Sequence, residues 1–376
     1  HELLRQFAAD KLREMEAEQE ARDGHSSYYS AFLQGQESRQ HEAEQQEAAD
    51  EIAAEIDNVR AAWRWSTEQC RATEIAQSLE SLHLFYYARG WVQEGQEAFQ
   101  SALACMQAGT SRQGDEDAWV IGRLQARLAR FSHRLGRHPE ARDLLQSALE
   151  TYDRLPDRAP ARAAAMRGEK AFALFSLSVV LRGDGEYEDA QQLCRESLEI
   201  YQEIDDLPGM AMALKHLGII HGSLGQFEEA QQQLREALRL YQDSGDPYGT
   251  ANTLNDLGIV AAGLDQYVPA KRYYQECLAI RRQIDDLWGI GTALNNLGYL
   301  AYLDCEYAEA RGFLAESLAI QREIGDRYHI ANCLNNLGAA ACALGEYGEA
   351  ADFLYEALRS AHQIGAHPLT LEILAE

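Results

Sequence analysis

A repeat with a period of 40 residues marks the second half of this 376-residue sequence. Its most regular copies are anchored on Gly218, Gly258, Gly298 and Gly338, and each glycine has a leucine one and four positions before it. An aromatic residue follows each glycine after nine positions, and an alanine follows after twelve. A period in this range is typical of solenoids and repeat arrays, so the sequence predicts similar units that stack on one another.

Each copy has the features of two paired helices. An aspartate stands just before the first helix, where its side chain can accept the free backbone N–H groups of the first turn. These aspartates are Asp206, Asp246, Asp286 and Asp326. Because the repeated glycine lacks a Cβ atom, we expect it to let the two helices approach closely, while leucine and alanine side chains fill the seam between them.

Three less regular copies precede the glycine-marked ones. In the nearest of them Ser178 takes the place of the glycine. Ala141 and Ala190, which occupy equivalent positions, are 49 residues apart instead of 40. We therefore predict a longer loop between these copies, around residues 157–167.

The first 70 residues have a helical pattern but do not fit the repeat. Apolar residues recur at helical spacing from His1 to about Glu20, and Asp23–Gly24 is expected to end that helix. A short aromatic helix around Tyr28 and a charged connection follow, and one helix is predicted over residues 48–66. This region is therefore interpreted as a small helical segment ahead of the repeats.

Three phrases in this first region carry a resemblance to a known family. They are HELLRQFAADKL at 1–12, HSSYYSAFL at 25–33 and EIDNVRAAWRWS at 55–66. In this order they resemble the junction between the winged-helix and tetratricopeptide repeat (TPR) regions of STAND-class signal-transduction ATPases, such as the MalT, AfsR and NB-ARC-related regulators. The resemblance covers most of the chain. It implies a TPR sensor that follows a nucleotide-binding module and a winged helix.

The resemblance also implies a fold class and a domain plan. The fold class is all-α, a TPR-type superhelical solenoid of helical hairpins preceded by a small helical segment. Residues 1–22 would be the end of the winged-helix-like region and 23–70 a helical linker or cap. Residues 71–376 would form the superhelix of about seven helix pairs, of which those at 211–364 are the most regular. The chain has no G-x-x-x-x-G-K-[ST] phosphate-binding loop, so we expect a bacterial NTPase module upstream of His1 in a longer protein.

Composition limits the partners and the compartment. Sixty acidic residues against 34 basic ones give a formal net charge of −26, and such a surface repels phosphate backbones. We therefore expect no contact with nucleic acid, and no apolar run is long enough to predict a membrane span. The seven cysteines have no zinc-binding spacing, and several fall at small core positions, which favours reduced, buried thiols in a cytoplasm. No cofactor is expected in this segment.

Helical geometry indicates which side chains of the regular copies face away from the seam. On the first helix of each copy these positions carry a row of polar residues, and in TPR stacks this face lines the concave groove. The candidate ligand-binding residues on it are Lys215, Asn252, Asn255, Asn295, Tyr299, Asn332 and Asn335. Asparagines can bond both the donors and the acceptors of an extended peptide backbone. The alternative is that they bond neighbouring helices or water and recur by duplication.

The same face becomes basic in the irregular copies. The candidate ligand-binding residues there are Arg123, Arg130, His133 and Arg134, with Phe175 and Arg182 of the next copy as neighbours. A basic group in so acidic a chain favours an anionic ligand or an acidic partner segment. The alternatives are that the arginines pair with acids of adjacent helices and that Phe175 packs in the core.

No catalytic pattern is present, since the sequence has no HExxH motif, no nucleophile motif and no Gly-rich loop. We therefore expect a non-enzymatic module that senses a ligand or inducer. It would bind a peptide, a protein segment or a small anionic molecule in the groove and control the upstream NTPase module. The alternative is a free-standing TPR adaptor scaffold that binds a partner protein constitutively.

Overall fold

The computed structural model describes residues 11, 17–37, 39–41, 45–108, 114–156, 160–364 and 366–374. Over these residues the chain is helical and contains no β-strand. The chain divides into two compact units, His1–Ile220 and His221–Glu376, here called the N-terminal unit and the C-terminal unit. Each unit is built from helical hairpins, so the predicted fold class, an all-α TPR-type solenoid, is confirmed.

The N-terminal unit contains the small helical segment, the irregular hairpins and all but the last three residues of the first helix of the Gly218 copy. Its helices are α1 (Glu18–Gln36), α2 (Gln45–Ala54), α3 (Ile56–Glu68), α4 (Ala72–Ala88), α5 (Val92–Ala108), α6 (Asp115–Arg134), α7 (His138–Arg154), α8 (Pro160–Gly183), α9 (Tyr187–Glu203) and α10 (Leu207–Ser223), with a 3₁₀ turn at Arg39–His41. Helix α1 packs against α3 and α4, α6 pairs with α7, and α8 pairs with α9. Helix α6 also packs against both α4 and α8, so first helices of successive hairpins are neighbours.

The C-terminal unit contains the regular hairpins. Its helices are α11 (Phe227–Asp243), α12 (Pro247–Gly263), α13 (Tyr267–Gln283), α14 (Leu287–Leu303), α15 (Tyr307–Ile324), α16 (Arg327–Ala343), α17 (Tyr347–Gln363) and α18 (His367–Ile373). Helix α12 pairs with α13, α14 with α15, and α16 with α17. The second helix of each pair also packs against the first helix of the next pair, which makes the hairpins a continuous stack.

The predicted aspartate caps are confirmed. The side chain of Asp206 accepts a hydrogen bond from the backbone N–H three residues further on, at 2.9 Å. Asp246, Asp286 and Asp326 accept the equivalent bond at 2.8, 2.9 and 3.1 Å. Each cap satisfies a donor that a helix start leaves free and stabilises the helix by about 1 kcal/mol.

The repeated glycines mark close approach of the paired helices, as predicted. A Cβ atom on Gly258 would lie 2.4 Å from the Tyr274 ring, and one on Gly298 would lie 2.5 Å from Cγ of Leu314. Both facing side chains belong to the second helix of the same hairpin. In the irregular copy Ser178 is accommodated because its hydroxyl donates a hydrogen bond to a backbone carbonyl of α9 at 2.7 Å.

Helix α1 continues through the point where the sequence predicts a break, so that prediction is wrong. Asp23 accepts a hydrogen bond from the Trp65 indole at 2.9 Å and pairs with Arg71 at 3.1 Å. These tertiary contacts hold the helix at a glycine that costs about 1 kcal/mol in a helix interior. The predicted helix over 1–20 and the phrase at 1–12 lie mostly outside the described residues.

Two other predicted boundaries are also wrong. The single helix predicted over 48–66 is divided into α2 and α3 at Glu55, whose carboxylate accepts a hydrogen bond from the Tyr29 hydroxyl at 2.8 Å. The loop predicted around 157–167 is largely the start of α8, which begins at Pro160 and is 24 residues long. Proline suits the first turn of a helix and the alanines that follow favour helix, so the extra residues lengthen a helix instead of a loop.

The expectation that all cysteines are reduced is wrong for one pair. Cys70 and Cys105 form a disulfide with their Cα atoms 5.8 Å apart, which connects the turn after α3 to α5. The two cysteines are 35 residues apart, so no short spacing pattern indicates the pair. Cys194, Cys277 and Cys333 are free and buried, as their small core positions predict.

Candidate functional site

Helix α6 carries a row of arginines on one side. Arg123, Arg127, Arg130 and Arg134 are separated by three or four residues, which places them on one helix face. Because α4 and α8 both pack against α6, the side chains of these two helices decide which of the arginines are neutralised.

Two of the arginines are neutralised by buried carboxylates. Nε of Arg123 donates to Glu169 at 2.8 Å, while Arg127 bonds Glu169 and donates from Nε to Glu80 at 2.9 Å. Arg127 is 4% exposed and its guanidinium lies 4.2 Å from the centre of the Phe172 ring. This network joins α4, α6 and α8 and balances its charges internally. For Arg123 the structure therefore favours the alternative that it pairs with acids of adjacent helices.

Arg130 and Arg134, further along α6, have no carboxylate partner in the described part of the chain. Nη2 of Arg130 donates to the Tyr87 hydroxyl at 3.2 Å, and its guanidinium lies 5.7 Å from the centre of the Phe175 ring. The guanidinium of Arg134 lies 4.7 Å from the centre of the Tyr87 ring. Nη1 of Arg130 is buried and has no hydrogen-bond partner among the described residues. Among the described residues, Arg130 is therefore met by aromatic faces and one tyrosine hydroxyl instead of a carboxylate.

Helix α8 and helix α10 add further groups to this region. Nε of Arg182 and Nε2 of His216 are buried without a hydrogen-bond partner in the residues that the structure describes. Burial, with the charges of Arg182 and Arg130, lowers the pKa of His216 to about 3. Burial, with Arg130, His138 and Arg182, lowers the pKa of His133 to about 4. Since the same two arginines act on both histidines, these four side chains form one group.

The acidic residue nearest to these arginines and histidines, Asp184, pairs with other side chains. Asp184, two residues after Arg182, pairs with His138 at 2.5 Å and with Arg142 at 3.0 Å. Lys215, next to His216 on α10, is half-buried and has no ion pair among the described residues. Among the described residues, the region thus holds several cations and no carboxylate that pairs with Arg130, Arg182 or Lys215.

The hydroxyl of Tyr87 responds to this excess of positive charge. Burial raises its pKa, but Arg130 and Arg134 outweigh burial and the net shift is downward. Burial raises the pKa of the neighbouring Tyr86 hydroxyl, which faces Glu94 instead. We call Arg130, Arg134, Arg182 and Lys215, with Tyr87 and Phe175, the cation cluster.

The sequence predicts part of this site and misses part of it. It predicts Arg130, His133, Arg134 and Phe175, and the structure brings these residues together. Phe175 is 5% exposed and its ring lies 5.3 Å from the His216 ring, so it packs in the core and also faces the cations. The sequence does not predict Tyr87 as a site residue, because it lies in the least regular copy, where the repeat does not show which helix face a residue occupies.

The asparagine row of the C-terminal unit is largely hydrogen bonded within the stack. Asn296 donates to the side chain of Asn255 at 2.8 Å, and Asn336 donates to Asn295 at 3.1 Å. Asn295 in turn donates to Asn332 at 2.9 Å. These bonds run between successive hairpins, so they favour the alternative that the asparagines connect neighbouring helices.

The other candidates of the C-terminal unit differ in exposure. Asn335 is 3% exposed, and Asn252 accepts a hydrogen bond from the buried Arg281 at 2.5 Å. Tyr299 and Ile259 are 47% and 52% exposed on the first helices of successive hairpins. The structure therefore buries much of the asparagine row and leaves an aromatic and aliphatic surface accessible beside it.

These hairpins and their spacing define a TPR-type solenoid. Residues 169–243 and 289–363 match a tetratricopeptide repeat model, and residues 250–284 match a second such model. The chain therefore contains tetratricopeptide repeats in both units. The predicted resemblance to TPR proteins is confirmed at this level.

Among curated proteins, the chain is 35% identical over 103 residues to a putative HTH-type transcriptional regulator of Mycobacterium bovis and to counterparts in Mycobacterium tuberculosis. The match covers 27% of this chain and 11% of the regulator. The chain thus corresponds to a small part of the length of these relatives.

Among solved structures, the chain is similar to a STAND protein with a tetratricopeptide repeat sensor from Pyrococcus horikoshii, at 14% identity and a TM-score of 0.58. That match covers 86% of this chain and 48% of the STAND protein. The chain is also similar to NprR in complex with its cognate peptide NprX, at 13% identity and a TM-score of 0.55, covering 78% and 82% of the two chains. At these identities the likeness shows the fold alone.

The fold is one of protein-interaction modules, which are generally non-catalytic. No helix in the described part of the chain is long and apolar enough to span a membrane.

Proposed function

We propose that this chain is the ligand-sensing and protein-interaction region of a STAND-type regulator. It binds a peptide, a protein segment or a small anionic inducer in the groove of the TPR stack and controls an NTPase module that lies upstream in the full-length protein. The observation that carries the proposal is the cation cluster. It is a group of unbalanced, partly buried positive charges on neighbouring first helices of a chain whose net charge is −26.

Three further observations support this role. The phrases at 1–12, 25–33 and 55–66 resemble the junction that precedes TPR sensors in STAND proteins. A solved STAND protein with such a sensor shares the fold, and so does NprR in complex with its cognate peptide NprX. Curated relatives of part of the chain are named as transcriptional regulators.

Control of the upstream module requires two states with different ligand affinity. A ligand that binds the active arrangement more tightly shifts the population toward it, and the shift is limited by that difference in affinity. Repeat stacks suit this role because each hairpin contacts only its neighbours, so small changes at successive interfaces add along the array.

A constitutive adaptor scaffold is the second candidate. The observation that favours it is the exposed surface of Tyr299 and Ile259 in the C-terminal unit, beside asparagines that already bond one another. Such a surface suits a permanent partner segment and needs no ligand-dependent switch.

Removal of the repeats from the full-length protein separates the two candidates. A sensor predicts that deleting residues 71–376 abolishes the effect of the inducer on nucleotide hydrolysis and oligomerisation. A truncated protein that still responds to the inducer would exclude the sensor role. A coding sequence that starts at His1, without a nucleotide-binding module before it, would favour the scaffold.

A further inference from the structure

The arginines of the N-terminal unit that pair with acids form two classes. Arg123 and Arg127 each bond buried carboxylates, and exposed arginines such as Arg154 pair with acids at the surface. Arg130 and Arg182 belong to neither class. Each has a side-chain nitrogen that is buried and lacks a hydrogen-bond partner among the described residues.

An unsatisfied, buried guanidinium nitrogen is costly, because its hydration is lost and no protein acceptor replaces it. The cost increases when a second cation is close. The Phe175 ring lies 5.7 Å from the guanidinium of Arg130 and 5.3 Å from the His216 ring. Arg182 follows Phe175 by two turns on the same face of α8, and both arginines lower the pKa values of His133 and His216. A carboxylate beside Arg130 and Arg182 would stabilise the fold, as Glu80 does beside Arg127.

The surroundings of these cations suit a ligand more than a missing structural acid. The ring of Phe175 lies beside the guanidinium of Arg130, and the ring of Tyr87 lies beside both Arg130 and Arg134. Aromatic faces hold the guanidinium planes in place without using up all their N–H donors. Arg130 and Arg182 are each only partly buried as residues, so part of each side chain reaches the surface, while one nitrogen of each still lacks an acceptor among the described residues.

We propose that the cation cluster binds an anionic group of the ligand, with carboxylate or phosphate oxygens accepting hydrogen bonds from Arg130 and Arg182. Arg134 and Lys215 contribute positive charge at the rim. A guanidinium group can donate two hydrogen bonds to a carboxylate or to a phosphate. The site therefore predicts that the bound group is anionic but does not distinguish a carboxylate from a phosphate. The inference rests on the proposed function only in that the anionic group belongs to the sensed ligand.

The test uses the 376-residue chain and two simple probes. Inorganic pyrophosphate represents phosphate oxygens and citrate represents carboxylate oxygens. Each is titrated at constant ionic strength, maintained with sodium chloride, and binding is measured by calorimetry and by the shift in melting temperature. We expect saturable binding of at least one probe to the wild-type chain.

The variants Arg130→Gln and Arg182→Gln should each weaken that binding at least tenfold. Arg154→Gln is the matched control, because it removes the same charge from an arginine that is 76% exposed and paired with Glu150 on α7. It should bind as the wild type does. The melting temperature of Arg182→Gln without probe should be at least that of the wild type, since one of two repelling charges is removed.

The outcomes are distinct. Binding of pyrophosphate alone assigns a phosphate group to the ligand, and binding of citrate alone assigns a carboxylate. Absence of saturable binding by both probes, or equal binding by wild type and Arg182→Gln, would overturn the inference. Neither result affects the deletion test of the sensor role, which depends on the inducer and the full-length protein. If Arg130→Gln fails to fold, Arg182→Gln still decides the question.

Discussion

At the scale of single residues, the repeated glycines have a measurable cost of replacement. Gly298→Ala would place a Cβ atom 2.5 Å from Cγ of Leu314, which is fully buried and cannot move freely. We expect a loss of about 1–3 kcal/mol in the free energy of unfolding, measured by urea denaturation.

Gly312→Ala is the matched control for this substitution. Gly312 lies on the exposed side of α15, and a Cβ atom there would have nothing within 4 Å. Because alanine restricts the unfolded chain and favours helix, this variant should gain about 0.5–1 kcal/mol. Equal effects of the two substitutions would contradict the role of Gly298 in helix approach.

His216 should make stability depend on pH. Its pKa is about 3 in the folded chain, because burial and the nearby arginines disfavour the charged form, whereas an unfolded histidine titrates near 6.5. The unfolded state therefore binds the extra proton. The contribution of the neutral ring is fully present above pH 6.5 and decreases as the pH falls toward 3.

We expect His216→Asn to reduce the loss of unfolding free energy between pH 7 and pH 5 by about 2 kcal/mol relative to the wild type. Urea denaturation at the two pH values measures this difference. His362→Asn, at an exposed position on α17, controls for the loss of a histidine. An identical pH dependence in wild type and His216→Asn would show that the ring is not held neutral by its surroundings.

At the scale of helices and hairpins, stability depends on the seam between paired helices. Leu257 is fully buried in the seam of the α12–α13 hairpin. Leu257→Ala should reduce the free energy of unfolding by about 2–5 kcal/mol, because it removes apolar contact and leaves a cavity. Leu287→Ala, at a residue that is 46% exposed, should change it by less than about 0.5 kcal/mol. A Leu257→Ala variant as stable as the wild type would contradict the hairpin assignment.

The sequence predicts the regular hairpins better than the irregular segment, and the reason is physical. In the regular copies the aspartate cap, the glycine and the seam leucines all specify the same helix pair, and the structure confirms them. Near Asp23 and Glu55, local propensity competes with long-range contacts to Trp65 and Tyr29, which sequence reading cannot see. The helix boundaries are wrong at these points.

For the candidate site, too, the sequence predicts some features and misses those that depend on distant residues. The spacing of the α6 arginines places them on one face, and this much follows from the sequence. Which of them are neutralised depends on Glu80 and Glu169, which are 47 and 42 residues away from Arg127 along the chain. The local sequence therefore does not show that Arg127 is paired with carboxylates whereas Arg130 is not.

At the scale of the whole molecule, the two units have different characters. The C-terminal unit satisfies its polar groups through asparagine bonds between hairpins, whereas the N-terminal unit keeps unbalanced cations beside aromatic rings. The unbalanced cations thus lie in the N-terminal unit, which supports the proposal that the ligand is recognised there. The disulfide between Cys70 and Cys105 lies in the irregular part.

We propose that ligand recognition by the cation cluster controls an upstream NTPase module. The direct test is nucleotide hydrolysis by the full-length regulator, measured with and without its inducer, in an Arg130→Gln/Arg182→Gln variant and in the Arg154→Gln control. We predict that the double variant loses the response and that the control keeps it. A double variant that folds and responds to the inducer as the wild type does would contradict this proposal.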